Sequence, residues 1–264
     1  MSAKDATVEI VEASASRSTR GCKRRAEEHV HVQFVKKQRT QSKESITVAS
    51  QSKVTKVFPI FDKTVQTKKD FRFVEKLGHG TVLHGIHLTP EARPKVAAFD
   101  LDGTLIRTKN NFPFPNGAKD WKWWHANVPS KLKEVYEQGY LVVIISNQGG
   151  LSLPLGKRRE QWETKIGLIA KELADVPFHI LAATQNDKYR KPQKGMWSCI
   201  VSLLTKQEVF PDLNASFYVG DAAGREKDHS DCDKGFAEAV GIQFHTPEEY
   251  FLPEGEPSAS EGTR

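Results

Sequence analysis

The apolar run Val96-Ala97-Ala98-Phe99 passes directly into Asp100-Leu101-Asp102-Gly103-Thr104, and no other junction constrains the fold as strongly. An uninterrupted apolar run with turn residues behind it reads as a strand. Two aspartates two positions apart, then a glycine turn, put both carboxylates at the mouth of a sheet. An Asp-Gly turn alone is commonplace. Its significance comes from the ordered set that follows: Ser146 after a second apolar run, Lys191 beside Pro192, and Gly220-Asp221 after a further run.

From Phe71 onward, apolar runs of four to six residues alternate with segments of helical period. That alternation predicts βαβ units around a parallel sheet, an α/β fold. Strands are expected at 96–99, 141–145, 178–183, 216–219 and 242–244. Helices are expected at 129–138, with Pro129 in the first turn and Gly139 closing it, and at 158–173, 195–204 and 233–240. The stripes Trp162/Ile166/Ile169/Leu173 and Met196/Ile200/Leu203/Leu204 read as core-facing. Gly78-His79-Gly80 reads as a turn.

Residues 1–65 are rich in Ser, Thr, Lys, Arg and Glu and poor in long apolar runs, the composition of a disordered basic arm. Within it, Lys23-Arg24-Arg25 and Lys36-Lys37-Gln38-Arg39 have the spacing of a bipartite nuclear import signal, so a nuclear location is expected. A domain is expected over 66–254 and a disordered tail over 255–264. Met1 to Arg20 lacks the apolar segment of a secretory signal. No stretch approaches the roughly 18 apolar residues of a membrane helix, so no membrane association is expected. Cys22, Cys199 and Cys232 are odd in number and widely spaced, which predicts reduced thiols and excludes a zinc-finger pattern.

In an open parallel sheet, ligands gather outside the carboxyl ends of the strands. Asp100, Ser146 and Asp221 each fall within two residues of an expected strand end, and Lys191 follows the third strand after a short loop. The residue types suit phosphoryl transfer. Carboxylates repel a phosphate dianion, so the site needs cations: Mg²⁺ on Asp100 and Asp221, and the Lys191 ammonium. The Ser146 hydroxyl can bond a phosphate oxygen. Asp100 would attack in line to give an aspartyl-phosphate. Asp102 would protonate the leaving oxygen and then deprotonate water. Taken singly, Asp102-Gly103 is an ordinary turn, Ser146-Asn147 or Asp221 a cap, and Lys191 a solvated charge; four such coincidences at one rim are much harder to assemble.

These four motifs resemble those of the haloacid dehalogenase superfamily of phosphatases. Longer strings bring the chain closer to the polynucleotide kinase 3′-phosphatase family, over about 71–252. They are Ile145-Ser146-Asn147-Gln148-Gly149, Tyr189-Arg190-Lys191-Pro192 with Gly195-Met196-Trp197, Tyr218-Val219-Gly220-Asp221-Ala222-Ala223-Gly224-Arg225, and Thr246-Pro247-Glu248-Glu249-Tyr250-Phe251. Lys227-Asp228, Ser230, Asp233 and Phe236-Ala237 extend the match. The resemblance implies a Rossmann-like fold with a parallel sheet flanked by helices and no large cap domain, dependence on Mg²⁺, and removal of 3′-phosphate from DNA strand-break ends in repair. It makes Asp100 the nucleophile, Asp102 the acid/base, and Ser146 and Lys191 phosphate ligands. Asp100, Asp221 and the Asp102 backbone carbonyl become metal ligands. Asp228 and Asp233 are implied as acidic supports of the metal or of Lys191, helix capping being the alternative for Asp233. Asn147, Arg190 and Arg225 are candidate substrate contacts, with a structural ion pair as the alternative for Arg225.

No Gly-X-X-X-X-Gly-Lys-Ser/Thr string occurs. The resemblance therefore points to a phosphatase-only version of the kind found in some fungi, expected as a monomer that meets DNA and DNA repair proteins. The stretch 105–128 leaves room for a small flap but not a lid domain, so a polymer end has access. Arg107, Lys109, Lys119, Lys122, Arg158 and Arg159 are candidates to line its approach. Trp121, Trp123 and Trp124 are expected to pack the flap, base stacking being the alternative. Two other functions remain open at this point: a capless phosphatase of a small metabolite or phosphoprotein, and a non-catalytic DNA-end-binding module.

Overall fold

The computed structural model describes residues 70–253, apart from 75, 113–114 and 152–155. The expected arm, with both basic clusters and Cys22, and the tail lie outside the described residues. Strands β1 (Arg72–Phe73) and β2 (Val82–His87) precede β3 (Val96–Phe99). A small hairpin of β4 (Ile106–Arg107) and β5 (Lys122–Trp123) follows, then helix α1 (Val128–Glu137), β6 (Leu141–Asn147) and α2 (Lys157–Glu172). The chain continues through β7 (Phe178–Ala183), α3 (Gly195–Thr205), β8 (Phe217–Val219), α4 (Cys232–Val240), β9 (Gln243–His245) and α5 (Pro247–Phe251).

Among the described residues one sheet has seven strands in the order β1-β2-β7-β6-β3-β8-β9. The run from β7 to β9 is parallel throughout, whereas β1 and β2 are antiparallel additions at the β7 edge. Period-two alternation sorts the strands onto two faces. Ala97, Phe99, Val142, Ile144, Phe178 and Ile180 pack under α1, α2 and α5 through Leu132, Val135, Ile166, Ile169 and Phe251. Val96, Ala98, Val143, Ile145 and Leu181 pack under α3 and α4 through Met196, Trp197, Ile200 and Phe236. Helices thus cover both faces, as expected of the Rossmann-like haloacid dehalogenase fold. Truncating a fully buried anchor such as Leu132 to Ala would cost about 2–5 kcal/mol.

The five expected strands and four expected helices are present, with ends moved by one or two residues. Strands β1, β2, β4 and β5 and helix α5 were not expected. The run Val82-Leu83-His84-Gly85-Ile86-His87 carries two histidines and a glycine, which broke the apolar pattern, yet His84 and His87 are buried. His84 Nε2 lies 3.0 Å from His179 Nδ1 across the β2–β7 pair. Burial, then the nearby Arg72 charge, pushes His84 down to about 4, so it pairs as a neutral ring. Helix α5 is short, but its start carries a complete capping box: Glu249 N donates to Thr246 Oγ1 and Thr246 N to Glu249 Oε2.

Between β3 and α1 stands only the β4–β5 hairpin among the described residues. Trp121 is buried beneath it and meets Trp123 edge-on at 5.3 Å. The Trp123 indole donates to Glu172 Oε2 at 2.7 Å, and Trp124 packs on Phe251 at 6.2 Å. All three tie the flap to the body. Among the described residues, no helix is long and apolar enough to cross a membrane.

Candidate active site

From β3 the chain winds outward to β6 and β7 on one side, then crosses back to β8 and β9 on the other. In open α/β sheets such a reversal marks where ligands bind, here at the carboxyl ends of β3 and β8. Asp100 leaves β3 with its N–H donating to the Val219 carbonyl at 2.9 Å, and Asp221 follows β8. Two glycines bring the carboxylates together. Gly103 has φ of +91° and lies so close to the Asp221 carboxylate that a Cβ there would collide with it. A Cβ on Gly220 would meet the Asp233 side chain at 2.5 Å.

One oxygen each of Asp100, Asp221 and Asp233 lies within 4.8 Å of the others. The Lys191 ammonium answers this charge. Its three protons are shared among four acceptors, Asp100 Oδ1 (2.5 Å), Asp233 Oδ1 (2.7 Å), the Tyr218 hydroxyl (2.8 Å) and the Ile145 carbonyl (3.0 Å). Burial opposes its charge, but Asp100 and Asp233 outweigh burial and hold its proton more tightly than in an ordinary lysine. Asp233 Oδ2 accepts from Ala222 N at 3.0 Å, so both its oxygens are engaged, and it anchors Lys191 and the loop after β8.

One ammonium does not balance three carboxylates. Burial first, and then Asp233 and Asp221 against the opposing pull of Lys191, push Asp100 well above the ordinary carboxylate range. Burial and then Asp233 push Asp221 up to about 6. That residual demand for positive charge, met by hard oxygen donors, fits a divalent cation such as Mg²⁺. Asp221 gives one oxygen to Thr104, whose hydroxyl donates at 3.2 Å and accepts from Asp221 N at 3.0 Å. Among the described residues no donor reaches Asp100 Oδ2.

Asp102 reaches outward on the same turn, its side chain about half exposed. Lys165 Nζ donates to its Oδ1 at 3.0 Å and Gln148 Nε2 to its Oδ2 at 2.6 Å. Gln148 also donates to Ser146 Oγ at 2.9 Å, so Asp102 and the buried Ser146 are tied through one amide. Ser146 lies inside β6 rather than after it, because the strand runs on to Asn147. Thr104, Gln148 and Tyr218 stood in the sequence motifs without an assigned role, and Lys165 stood in none of them. The signal for Lys165 was there: it sits between Trp162 and Ile169 in the core-facing stripe of α2, where a cation needs a partner.

Residues 95–251 match the family model described as polynucleotide kinase 3 phosphatase. The chain belongs to the polynucleotide kinase 3 phosphatase family. It is 45% identical over 158 residues to a bifunctional polynucleotide phosphatase/kinase of Schizosaccharomyces pombe, covering 60% of this chain and 38% of that protein. It is 39% identical over 181 residues to the polynucleotide 3′-phosphatase ZDP of Arabidopsis thaliana, covering 64% and 25%. A polynucleotide 3′-phosphatase of Saccharomyces cerevisiae is 30% identical over 206 residues, covering 59% and 87%. The chain thus spans well under half of the first two relatives and most of the third.

In this member of the polynucleotide kinase 3 phosphatase family, the remaining candidate residues divide by what they touch. Asn147 bonds the Lys191 backbone at both ends of its amide, accepting from N at 2.9 Å and donating to O at 3.1 Å. It clamps the loop that carries Lys191. Arg190 instead faces an open groove of about 520 Å³ that it lines with Gly149, Thr184, Gln185 and Asn186. Arg225 is ion-paired with Asp228 (2.9 Å) and Glu248 (3.0 Å) and donates to the Asp221 carbonyl at 3.2 Å. Asp228 lies outside the three-carboxylate cluster and also accepts from Ala223 N and Arg225 N, each at 3.0 Å, shaping the loop after Asp221. Among the basic residues of the rim, Lys122 braces the flap through the Lys109 carbonyl at 2.7 Å, and Arg159 pairs with Glu163 at 2.7 Å.

Proposed function

We propose that this protein is a Mg²⁺-dependent polynucleotide 3′-phosphatase that clears 3′-phosphate from DNA strand breaks. The carrying observation is that Lys191 grips Oδ1 of Asp100 while, among the described residues, no donor reaches Oδ2, with Asp102 two residues further along the chain. Asp100 Oδ2 bonds to phosphorus as the bond from phosphorus to the 3′ oxygen breaks. Asp102 gives its proton to the departing oxygen, which would otherwise leave as a poor alkoxide. Asp102 then takes a proton from water as that water attacks phosphorus, releasing inorganic phosphate and restoring the Asp100 carboxylate. Lys191 and Ser146 hold non-bridging phosphate oxygens. Bound through Asp100, Asp221 and the Asp102 backbone carbonyl, Mg²⁺ would offset the charge of a phosphate dianion among carboxylates.

The family supports the reaction class, and the relatives named for 3′-phosphatase activity support the substrate. The absence of a folded lid between β3 and α1 among the described residues supports access for a polymer end. The Arg190 groove beside the site offers positive charge to the strand that leads to that end. The two basic clusters in 1–65 support nuclear work in DNA repair, alongside repair proteins. The test is phosphate release from a 3′-phosphorylated oligonucleotide, a 5′-phosphorylated one and sugar phosphates. Preference for the 3′-phosphorylated end is expected. Preference for sugar phosphates would replace this reading with a metabolite phosphatase, and no release from any would leave a binding module.

A further inference from the structure

We propose that Lys165 is a positioning residue for the proton-transfer group Asp102, an inference that rests on the reading of Asp102 given above. Lys165 is 4% exposed, in the middle of α2, and its helical neighbours Trp162, Ile166 and Ile169 all face the core. A helix that only packs there has no use for a cation, because a buried ammonium is costly unless paired. Among the described residues its recorded partner is Asp102 Oδ1, at 3.0 Å. The Asp102 side chain is 49% exposed and would otherwise be free to change rotamer. Lys165 holds one oxygen and Gln148 the other, at 2.6 Å, so the carboxylate is fixed on the turn that also carries Asp100.

The pair also has an electrostatic use. When Asp102 gives its proton to the departing 3′ oxygen, negative charge appears on its carboxylate. The ammonium is already in place to receive that charge, without solvent rearrangement. The half-reaction in which Asp102 takes a proton from water starts from that same carboxylate, oriented in the same way.

The asymmetry of burial separates this role from a structural one. Lys165→Met removes a buried charge, keeps the chain length and leaves unpaired only a half-exposed carboxylate. Its melting temperature should equal or exceed that of the parent protein. On a 3′-phosphorylated oligonucleotide its kcat should fall by about 10- to 100-fold with KM unchanged, part of what general acid–base catalysis supplies. The burst of nitrophenolate from p-nitrophenyl phosphate should be unchanged, because that leaving group departs without a proton. Lys165→Arg should restore much of the oligonucleotide turnover. In an Asp102→Asn background, Lys165→Met should cause no further loss.

Equal loss in the burst and in oligonucleotide turnover would overturn the inference, as would an undiminished effect in the Asp102→Asn background. If methionine does not fold at this position, Lys165→Gln, which keeps a donor without charge, is read in the same way. A parent protein that gives the nitrophenolate burst but ignores oligonucleotides refutes the substrate reading alone. The comparison then runs between glycerol phosphate and p-nitrophenyl phosphate and still decides the role of Lys165. No release of nitrophenolate by the parent protein, in the burst or in the steady state, would overturn both.

Discussion

Asp221→Asn should stabilise the metal-free protein while abolishing its response to Mg²⁺. Burial, then the Asp233 charge, lifts the Asp221 carboxyl from 3.8 to about 6. At about 1.4 kcal/mol for each factor of ten in ionisation, that is a penalty of at most about 3 kcal/mol at neutral pH. Because the charge is shared with Asp100 and Asp233, about 1–2 kcal/mol is the expected gain on neutralisation. The native state binds a proton that the unfolded chain releases, so this group's contribution worsens as pH rises from about 4 to about 6. It is constant above that window, and absent in the variant, where the asparagine oxygen still accepts from Thr104. At about 2–4 °C per kcal/mol for a domain of this size, the metal-free variant should melt about 2–8 °C higher at neutral pH. The parent protein should recover stability when Mg²⁺ is added, by about 2.7 kcal/mol at a hundredfold excess over Kd. Thermal melts across pH, with and without Mg²⁺, measure all of this. A variant that melts lower without metal would show that the Asp221 charge is not a burden on the fold, and one that keeps the full Mg²⁺ shift would remove Asp221 from the metal ligands.

Lys191→Met should be the opposite case: it leaves Asp100 and Asp233 buried without a cation, costing about 3–5 kcal/mol in denaturant unfolding. A loss under 1 kcal/mol would show that the carboxylates simply take up protons instead. Asp102→Asn should reduce oligonucleotide turnover by about 10² to 10⁴ while keeping the Mg²⁺-induced rise in melting temperature, read in parallel kinetics and melts. Full turnover in that variant would remove Asp102 from the mechanism. A bulky reporter fused to residues 1–65 should accumulate in nuclei and lose that accumulation when Lys23, Arg24 and Arg25 become Ala; reporter distribution unaffected by those changes would sink the import assignment.

The parallel core was legible because β3 and residues 141–145 of β6 are unbroken apolar runs and β7 is interrupted only by His179, and a buried parallel strand needs no polar alternation. Asp100, Ser146 and Asp221 were legible for a related reason: a polar residue ending such a run has to emerge at the rim. The β1–β2 hairpin was hidden because its buried histidines bond partners distant in sequence, His84 to His179 and His87 Nε2 to the Leu173 carbonyl. Lys165 was hidden in the same way, since its partner lies 63 positions upstream, and only its place in the apolar stripe of α2 betrayed it. From sequence, Asn147 is a candidate substrate contact. Its amide serves the Lys191 backbone, a pairing that depends on how two loops meet and leaves no mark on local sequence. The capping box of α5 could have been read directly from Thr246 and Glu249.

The most direct test of the central claim is to mix the protein with an oligonucleotide carrying a labelled 3′-phosphate, quench with acid within a single turnover, and map the label. Label should appear transiently on the peptide containing Asp100 as the 3′-hydroxyl end forms. It should be absent with Asp100→Asn, and absent when the label is carried as a 5′-phosphate. Label transfer from the 5′-phosphate, or undiminished 3′-phosphate release by Asp100→Asn, would contradict the account.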